Sequence, residues 1–145
     1  CGLHAQINMS AEQVVRHADL LRSLPCTLVF DHLGRLPGDA GPRHPAFAVL
    51  CDLLRARRDV WMKLSGAYLD TLTGPPGYAD VSEAARAYAA LAPDRMVWGS
   101  DWPHVTETHK PDDADLLDLL LDWVPDQAAR KWVLCDNPAA LYDFS

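Results

Sequence analysis

The segment "MVWGSDWPHV", residues 96–105, decides how the rest of the sequence is interpreted. Its apolar start is typical of a buried β-strand, but it ends in Gly-Ser-Asp and continues with an aromatic residue, a proline and a histidine. A strand that only crosses a core needs none of these polar residues. Alternation places Val97, Gly99 and Asp101 on one face, and Gly99 leaves room beneath the carboxylate. We therefore expect Asp101 and His104 to take part in chemistry where this strand ends.

Similar units of a β-like run and a helix-like run precede this strand. The β-like runs cover residues 2–9, 26–34, 59–68 and 95–105, and the helix-like runs cover 10–24, 46–58, 81–92, 112–124 and 125–137. Strands that alternate with helices predict a parallel sheet with right-handed crossovers. The loops after the strands are long and the returns are short, which is typical of folds that build a site at the carboxyl ends of their strands. An αβ barrel and a doubly wound sheet both fit this period.

Composition narrows the class of protein. The 145 residues are 49% hydrophobic and carry a net charge of −7, with 13 scattered lysines and arginines, so we expect one globular domain and no nucleic-acid partner. No apolar run approaches the roughly 20 residues that span a bilayer, and no membrane partner is expected. The four cysteines are widely spaced, which favours buried reduced thiols and a cytoplasmic location. Neither GxGxxG, a P-loop nor GxSxG occurs.

Polar side chains also lie near the ends of the first and third strands. Alternation places His4, Gln6 and Asn8 on one face of the first strand, where they line a cavity or, at an edge, face solvent. The third strand carries Lys63, and Tyr68 follows its end. A lysine inside a barrel is costly unless it meets a carboxylate or an anionic substrate, although it can also extend to solvent.

The second strand ends in Asp31 and His32, whose side chains alternate. With His32 toward the cavity, Asp31 is expected to face the helices and anchor the loop backbone. His32 can act as an acid, a base, a hydrogen-bond donor or a metal ligand. Arg35 follows a glycine that permits a tight turn, and its guanidinium can hold a carboxylate in a fork.

Four segments together resemble the C-terminal half of the amidohydrolase-related (amidohydrolase 2) family of TIM-barrel hydrolases. They are "DHLGR" (31–35), "KLSGAY" (63–68), "PDRMVWGSDWPH" (93–104) and "DNPAALYDF" (136–144). The branch with the nearest resemblance contains the 2-pyrone-4,6-dicarboxylate lactonases and similar sugar-lactone and sulfomuconolactone hydrolases. The resemblance implies an α/β fold in which residues 1–145 form strands five to eight of a (β/α)8 barrel with their helices. The domain is then truncated at its N-terminus, because the His-x-His motif of strand one is absent.

The resemblance also implies roles for individual residues. Asp101 would activate the hydrolytic water, His32 would polarise the lactone carbonyl, and Arg35 would bind a substrate carboxylate. We expect the other polar residues near the strand ends to complete the substrate site: Asn8, Lys63, Tyr68 and His104.

The expected function is hydrolysis of a carboxylate-bearing lactone, such as 2-pyrone-4,6-dicarboxylate, a sugar lactone or a muconolactone, with no cofactor required. One alternative is a zinc-dependent decarboxylase of the same superfamily, in which His32 and Asp101 would ligate a divalent metal ion. Another is a half-barrel fragment without catalytic activity. The expected partners are a small carboxylated molecule and either the missing N-terminal half or a second copy of the chain, because half a barrel leaves two open edges.

Overall fold

The computed structural model describes residues 3–144, and its centre is a parallel sheet of four strands. The strands are β1 (His4–Ile7), β2 (Thr27–Phe30), β3 (Val60–Leu64) and β4 (Met96–Trp98), and they lie side by side in chain order. Each strand pairs in parallel with its sequence neighbour, as in successive β-α-β units. The predicted α/β class and parallel sheet are confirmed. Each strand is shorter than its predicted run, which also took in the polar residues that follow.

Helices follow every strand and cover one face of the sheet. They are α1 (Ala11–Arg16), α2 (Ala18–Ser23), α3 (Pro45–Ala56), α4 (Ala79–Leu91), α5 (Asp113–Trp123), α6 (Gln127–Lys131) and α7 (Asn137–Tyr142). The predicted helix over residues 10–24 is divided at His17, and a π-helical turn, Trp132–Asp136, joins α6 to α7. Ser10 caps α1 in a capping box with Gln13. None of the helices between residues 3 and 144 is long and apolar enough to cross a membrane.

The two faces of the sheet differ in composition. The face under the helices carries Leu28, Phe30, Met62 and Leu64, all fully buried in the hydrophobic core. Burying each such side chain contributes about 1.5–3 kcal/mol, so this face holds the helices on the sheet. Since alternate residues point to opposite faces, Lys63 and its neighbours in register lie on the other face. That second face is the one on which the polar strand-end residues converge.

The cysteines do not all match the expectation of burial. Cys51 is buried in α3, but Cys26 is half-buried and Cys135 is exposed on the π-helical turn, so the prediction is wrong for Cys135. These three thiols are free in the described part of the chain. Cys1 lies outside the described residues.

A left-handed turn follows β2. His32, Leu33, Gly34 and Arg35 have φ values of 52°, 56°, 72° and 53°, and the Arg35 N–H donates to the His32 carbonyl at 2.9 Å. Non-glycine residues in this region cost roughly 1–2 kcal/mol each, so surrounding packing must hold the turn. Leu33 is buried in the core, and a Cβ on Gly34 would overlap the Leu50 side chain.

The loop after β3 is fixed by the Asp80 carboxylate at the start of α4. Asp80 accepts hydrogen bonds from the Thr71 hydroxyl at 2.6 Å, the Leu72 N–H at 2.6 Å and the Thr73 hydroxyl at 2.8 Å. Partial burial acts to raise the pKa of Asp80, but these hydrogen bonds outweigh it and hold the pKa well below its usual value. The ionised carboxylate is therefore the anchor of this loop.

Replacing Gly34 with alanine should destabilise the protein more than the same replacement at Gly74. Both glycines have a left-handed backbone, with φ of 72° and 68°, but a Cβ at Gly74 meets no atom within 4 Å. Gly74→Ala should therefore cost only the backbone term of about 1 kcal/mol, whereas Gly34→Ala adds an overlap worth about 1–3 kcal/mol. Chemical denaturation measures both. If both variants lost the same free energy of unfolding, the turn at Gly34 would be able to move away from Leu50.

Replacing Asp80 with asparagine should lower the free energy of unfolding by about 1–3 kcal/mol at neutral pH, since hydrogen bonds to a charged acceptor are lost. The pKa of Asp80 is depressed in the folded protein, so its stabilisation is present above the unfolded pKa near 3.9 and is lost as the pH falls below it. The difference between wild type and variant should shrink on acidification. Asp52→Asn, which alters an exposed pair with Arg55, is the control and should change little. A difference in free energy of unfolding that does not depend on pH would contradict the role of the ionised Asp80 carboxylate as the anchor of the loop.

Candidate active site at the carboxyl ends of the strands

Parallel pairing brings the ends of β2, β3 and β4 to one edge of the sheet. His32, Ser65 and Asp101 follow these ends, and His32 lies between the other two. His32 Nδ1 lies 3.0 Å from Ser65 Oγ, and His32 Nε2 lies 3.9 Å from Asp101 Oδ1. The structure thus brings together the two predicted catalytic residues, with a serine that sequence reasoning left without a role.

Asp101 and His32 differ in exposure. The Asp101 side chain is 36% exposed and the His32 side chain only 11%. Burial lowers the pKa of His32, and the carboxylates of Asp101 and Asp31 offset this only in part, so the imidazole is neutral at neutral pH. The helix that follows β4 is capped by Asp112, so Asp101 is not a helix cap.

A chain of hydrogen bonds holds the second oxygen of Asp101. The Tyr68 hydroxyl donates to Asp101 Oδ2 at 2.6 Å, and His104 Nδ1 lies 3.0 Å from the same hydroxyl. His104 Nε2 lies 3.0 Å from Asp113 Oδ1. Burial and the bond to Asp101 raise the pKa of Tyr68, so it stays protonated. Oδ2 is therefore occupied, while Oδ1 faces His32.

His104 lies behind Tyr68 rather than at the open surface. Its side chain is 3% exposed, its ring packs edge-on against Tyr68, and the residues described here engage both of its nitrogens. Asp113, its partner at the start of α5, was not singled out from the sequence, because four aspartates stand together within residues 112–118 and nothing local distinguishes one of them.

Arg35 lies at the rim of the site in a fork with Asp70. Its Nε donates to Asp70 Oδ2 at 2.6 Å and its Nη2 donates to Asp70 Oδ1 at 3.1 Å. Hydrogen bonding to Asp70 raises the pKa of Arg35. Within residues 3–144, Nη1 makes no hydrogen bond, and this edge of the guanidinium remains free to donate. Sequence reasoning missed Asp70, which sits in a polar loop with no motif of its own.

The prediction that Asp31 faces the helices is wrong. Lys63 Nζ lies 3.1 Å from Asp31 Oδ1, and the Gln6 amide donates to the two carboxylate oxygens at 3.0 and 3.1 Å. Asp31 continues the alternation of β2, whereas His32 enters the left-handed turn, so both side chains end on the same side of the sheet. Lys63 is thus paired with a carboxylate that the chain itself supplies.

The remaining predicted site residue is Asn8, which is exposed just beyond β1 and makes no side-chain hydrogen bond to the residues described. Within the described range, no three His, Cys, Asp or Glu side chains group closely enough to hold a metal ion. His32 and Asp101 can therefore supply at most two ligands, fewer than the three or four that zinc takes from proteins.

Relatives with assigned names are similar over most of the chain. A 4-sulfomuconolactone hydrolase of Rhizobium radiobacter is 42% identical over 127 residues, covering 86% of this chain and 42% of the relative. A D-galactarolactone isomerase of Agrobacterium fabrum is 39% identical, covering 96% and 48%. A 2-pyrone-4,6-dicarboxylate hydrolase of Comamonas testosteroni is 34% identical, covering 97% and 49%. The chain thus spans about half the length of the curated relatives it matches.

Solved structures share the fold. An apo crystal structure of an Agrobacterium tumefaciens protein, 34% identical, matches with a TM-score of 0.86 over 99% of this chain and 51% of that one. A zinc-bound amidohydrolase from Burkholderia multivorans, 21% identical, matches with a TM-score of 0.77 over 98% and 53%, which shows the fold alone. The family model described as Amidohydrolase (Amidohydro_2) matches residues 1–144. The family predicted from the sequence is confirmed: the chain belongs to the Amidohydro_2 family of amidohydrolases.

Proposed function

We propose that the protein is a hydrolase that opens a carboxylate-bearing lactone with water activated by Asp101. One observation carries the proposal: the Tyr68 hydroxyl occupies Asp101 Oδ2, while Oδ1 faces His32 across 3.9 Å. A carboxylate held in this way has one oxygen fixed and one available as a proton acceptor. The names of the relatives, which include a sulfomuconolactone hydrolase and a pyrone dicarboxylate hydrolase, support a lactone as the substrate class.

In the proposed reaction, Asp101 Oδ1 removes a proton from water while the oxygen attacks the lactone carbonyl carbon. His32 donates a hydrogen bond to the carbonyl oxygen, on which negative charge develops. The ring C–O bond then breaks and the proton held by Asp101 passes to the leaving oxygen. The new carboxylic acid loses its remaining proton to solvent, which leaves one new carboxylate. General-base assistance of this kind contributes typically about 10²–10⁴-fold to the rate.

The other residues are assigned by their contacts. Arg35 would offer Nη1 to the substrate carboxylate while Asp70 holds the opposite edge of the guanidinium. His104 is engaged on both nitrogens, so its proposed role is to hold Tyr68. Lys63 would act on the substrate only through the field of its pair with Asp31. Asn8 is exposed and free to contact a substrate bound over β1.

We propose further that residues 1–145 are the part of a (β/α)8 barrel that holds strands five to eight. The described sheet has β1 and β4 at its edges, and curated relatives are about twice as long as the chain. Unpaired strand edges favour pairing with further strands. The missing N-terminal half, or alternatively a second copy of this chain, would close the barrel and complete the site.

A zinc-dependent decarboxylase is the alternative within the superfamily. The described residues do not fit a complete zinc site by themselves, because His32 and Asp101 are only two possible ligands. Further ligands would have to come from the other half of the barrel, and no step above uses a metal ion. A half-barrel without catalytic activity is the third alternative, and it predicts no lactone hydrolysis in the unmodified protein.

Replacing Asp101 with asparagine should lower kcat for lactone hydrolysis by at least about 10²-fold in the complete barrel, because the amide keeps the size but cannot accept the proton. The melting temperature should change little, since Asp101 is exposed. Asp118→Asn, which alters an exposed carboxylate on α5, is the matched control and should keep full turnover. Wild-type turnover in the Asp101 variant would show that Asp101 is not the base and would remove the observation that carries the proposed mechanism.

Replacing Arg35 with methionine should raise KM for a carboxylated lactone by about 10- to 100-fold, since a charge-assisted hydrogen bond contributes roughly 1.5–3 kcal/mol. A neutral lactone of the same size should be affected much less. Arg55→Met removes an exposed arginine paired with Asp52 and serves as the control. If KM rises equally for the carboxylated and the neutral lactone, Arg35 has a structural role through Asp70 and does not bind the substrate.

A further inference from the structure

Of the three residues that follow the ends of β2, β3 and β4, namely His32, Ser65 and Asp101, only Ser65 has no role in the proposed chemistry. It follows β3 directly, its side chain is buried, and its hydroxyl lies 3.0 Å from His32 Nδ1. The next residue, Gly66, has φ of 63°, and a Cβ there would lie 2.7 Å from the same nitrogen. The pair Ser65-Gly66 therefore both admits the imidazole ring and contacts it.

Either Ser65 or His32 can donate the proton in this hydrogen bond, and only donation by Ser65 leaves no buried donor without an acceptor. A serine hydroxyl carries one proton, and a neutral imidazole carries one proton on one of its two nitrogens. Within residues 3–144, the Ser65 hydroxyl has no partner other than His32. If Nδ1 carried the imidazole proton and donated it to Ser65, the serine proton would be buried without an acceptor, which costs about 1–3 kcal/mol.

We infer that the Ser65 hydroxyl donates to His32 Nδ1 and thereby fixes the imidazole proton on Nε2. Ser65 is on this account a positioning residue that acts through His32. Because burial lowers the pKa of His32, the ring is neutral at neutral pH and carries its one proton on either Nδ1 or Nε2. The opposite nitrogen, Nε2, is the one that faces Asp101 Oδ1 and the site.

This tautomer bears on the chemistry, and the step rests on the function proposed above. An N–H at Nε2 is a donor aimed into the site, as polarisation of a lactone carbonyl requires. A metal ion, in contrast, binds the lone pair of an unprotonated nitrogen, so zinc on Nε2 would move the proton to Nδ1 and leave the Ser65 proton without an acceptor. The Ser65 contact therefore favours His32 as a hydrogen-bond donor over His32 as a metal ligand.

Nitrogen NMR of protein labelled at histidine tests the tautomer directly at mildly alkaline pH. In the wild type, the His32 Nδ1 signal should have the shift of an unprotonated nitrogen and Nε2 that of a protonated one. In Ser65→Ala, the signals should move toward the average of the two tautomers. Ser23→Ala removes an exposed helical hydroxyl that donates to the Leu20 carbonyl, and it should leave the His32 signals unchanged.

The turnover number kcat of the Ser65→Ala variant is a second test. Ser65→Ala should lower kcat of the complete enzyme about fivefold to tenfold, the effect of one neutral hydrogen bond, with little change in KM. A protonated Nδ1 in the wild type, or an unchanged tautomer in Ser65→Ala, would overturn the inference even if the enzyme is a lactonase. Because the NMR measurement needs no substrate, its result is independent of the Asp101 test of the proposed function.

Discussion

Left-handed backbone at the ends of β2 and β4 is the constraint on which the site depends. His32 and Asp101 have φ of 52° and 65°, although neither is glycine. Such residues cost of order 1–3 kcal/mol each and persist only where the surrounding structure determines them. After β2 the cost is offset by burial of Leu33 in the helix-facing core. His32 and Asp101, which follow separate strands, thus face each other from two left-handed turns.

Hydrogen bonds across the strand ends make the two residues a unit. Asp101 is tied through Tyr68 to His104, and His32 is tied to Ser65, so each candidate catalytic group is held by a side chain from the segment that follows β3. A local change in this segment would therefore reach both groups at once. The loop beyond it is in turn anchored by Asp80, which makes the segment after β3 the frame of the site.

The succession of β-like and helix-like runs was sufficient to predict the parallel sheet, and the motifs at the strand ends, with the family resemblance, singled out Asp101 and His32. The expectation for Asp31 was wrong because alternation was extended through His32: Asp31 keeps the period of β2, whereas the left-handed turn begins at His32 and brings its side chain to the same face. Strand alternation also could not identify Asp70 or Asp113. Asp70 contacts Arg35, which is 35 positions away in the sequence, and Asp113 contacts His104, which is 9 positions away. Such partners are fixed by tertiary packing, which local sequence does not report.

The charges near the site limit what these residues can bind alone. Arg35 and Lys63 each lie against a carboxylate, Asp70 and Asp31 respectively, and Lys110 donates to the His104 carbonyl. Asp101 would have to be ionised to act as the proposed base. The described cluster is therefore not electropositive, and an anionic lactone would be attracted mainly by the free edge of Arg35. A substrate with two carboxylates would need positive charge in addition to Arg35, and the exposed Lys110 beside His104 is such a cation among the described residues. Under the proposed function, the present strands would supply the groups that activate water, and the rest of the barrel would supply most of the affinity for the anion.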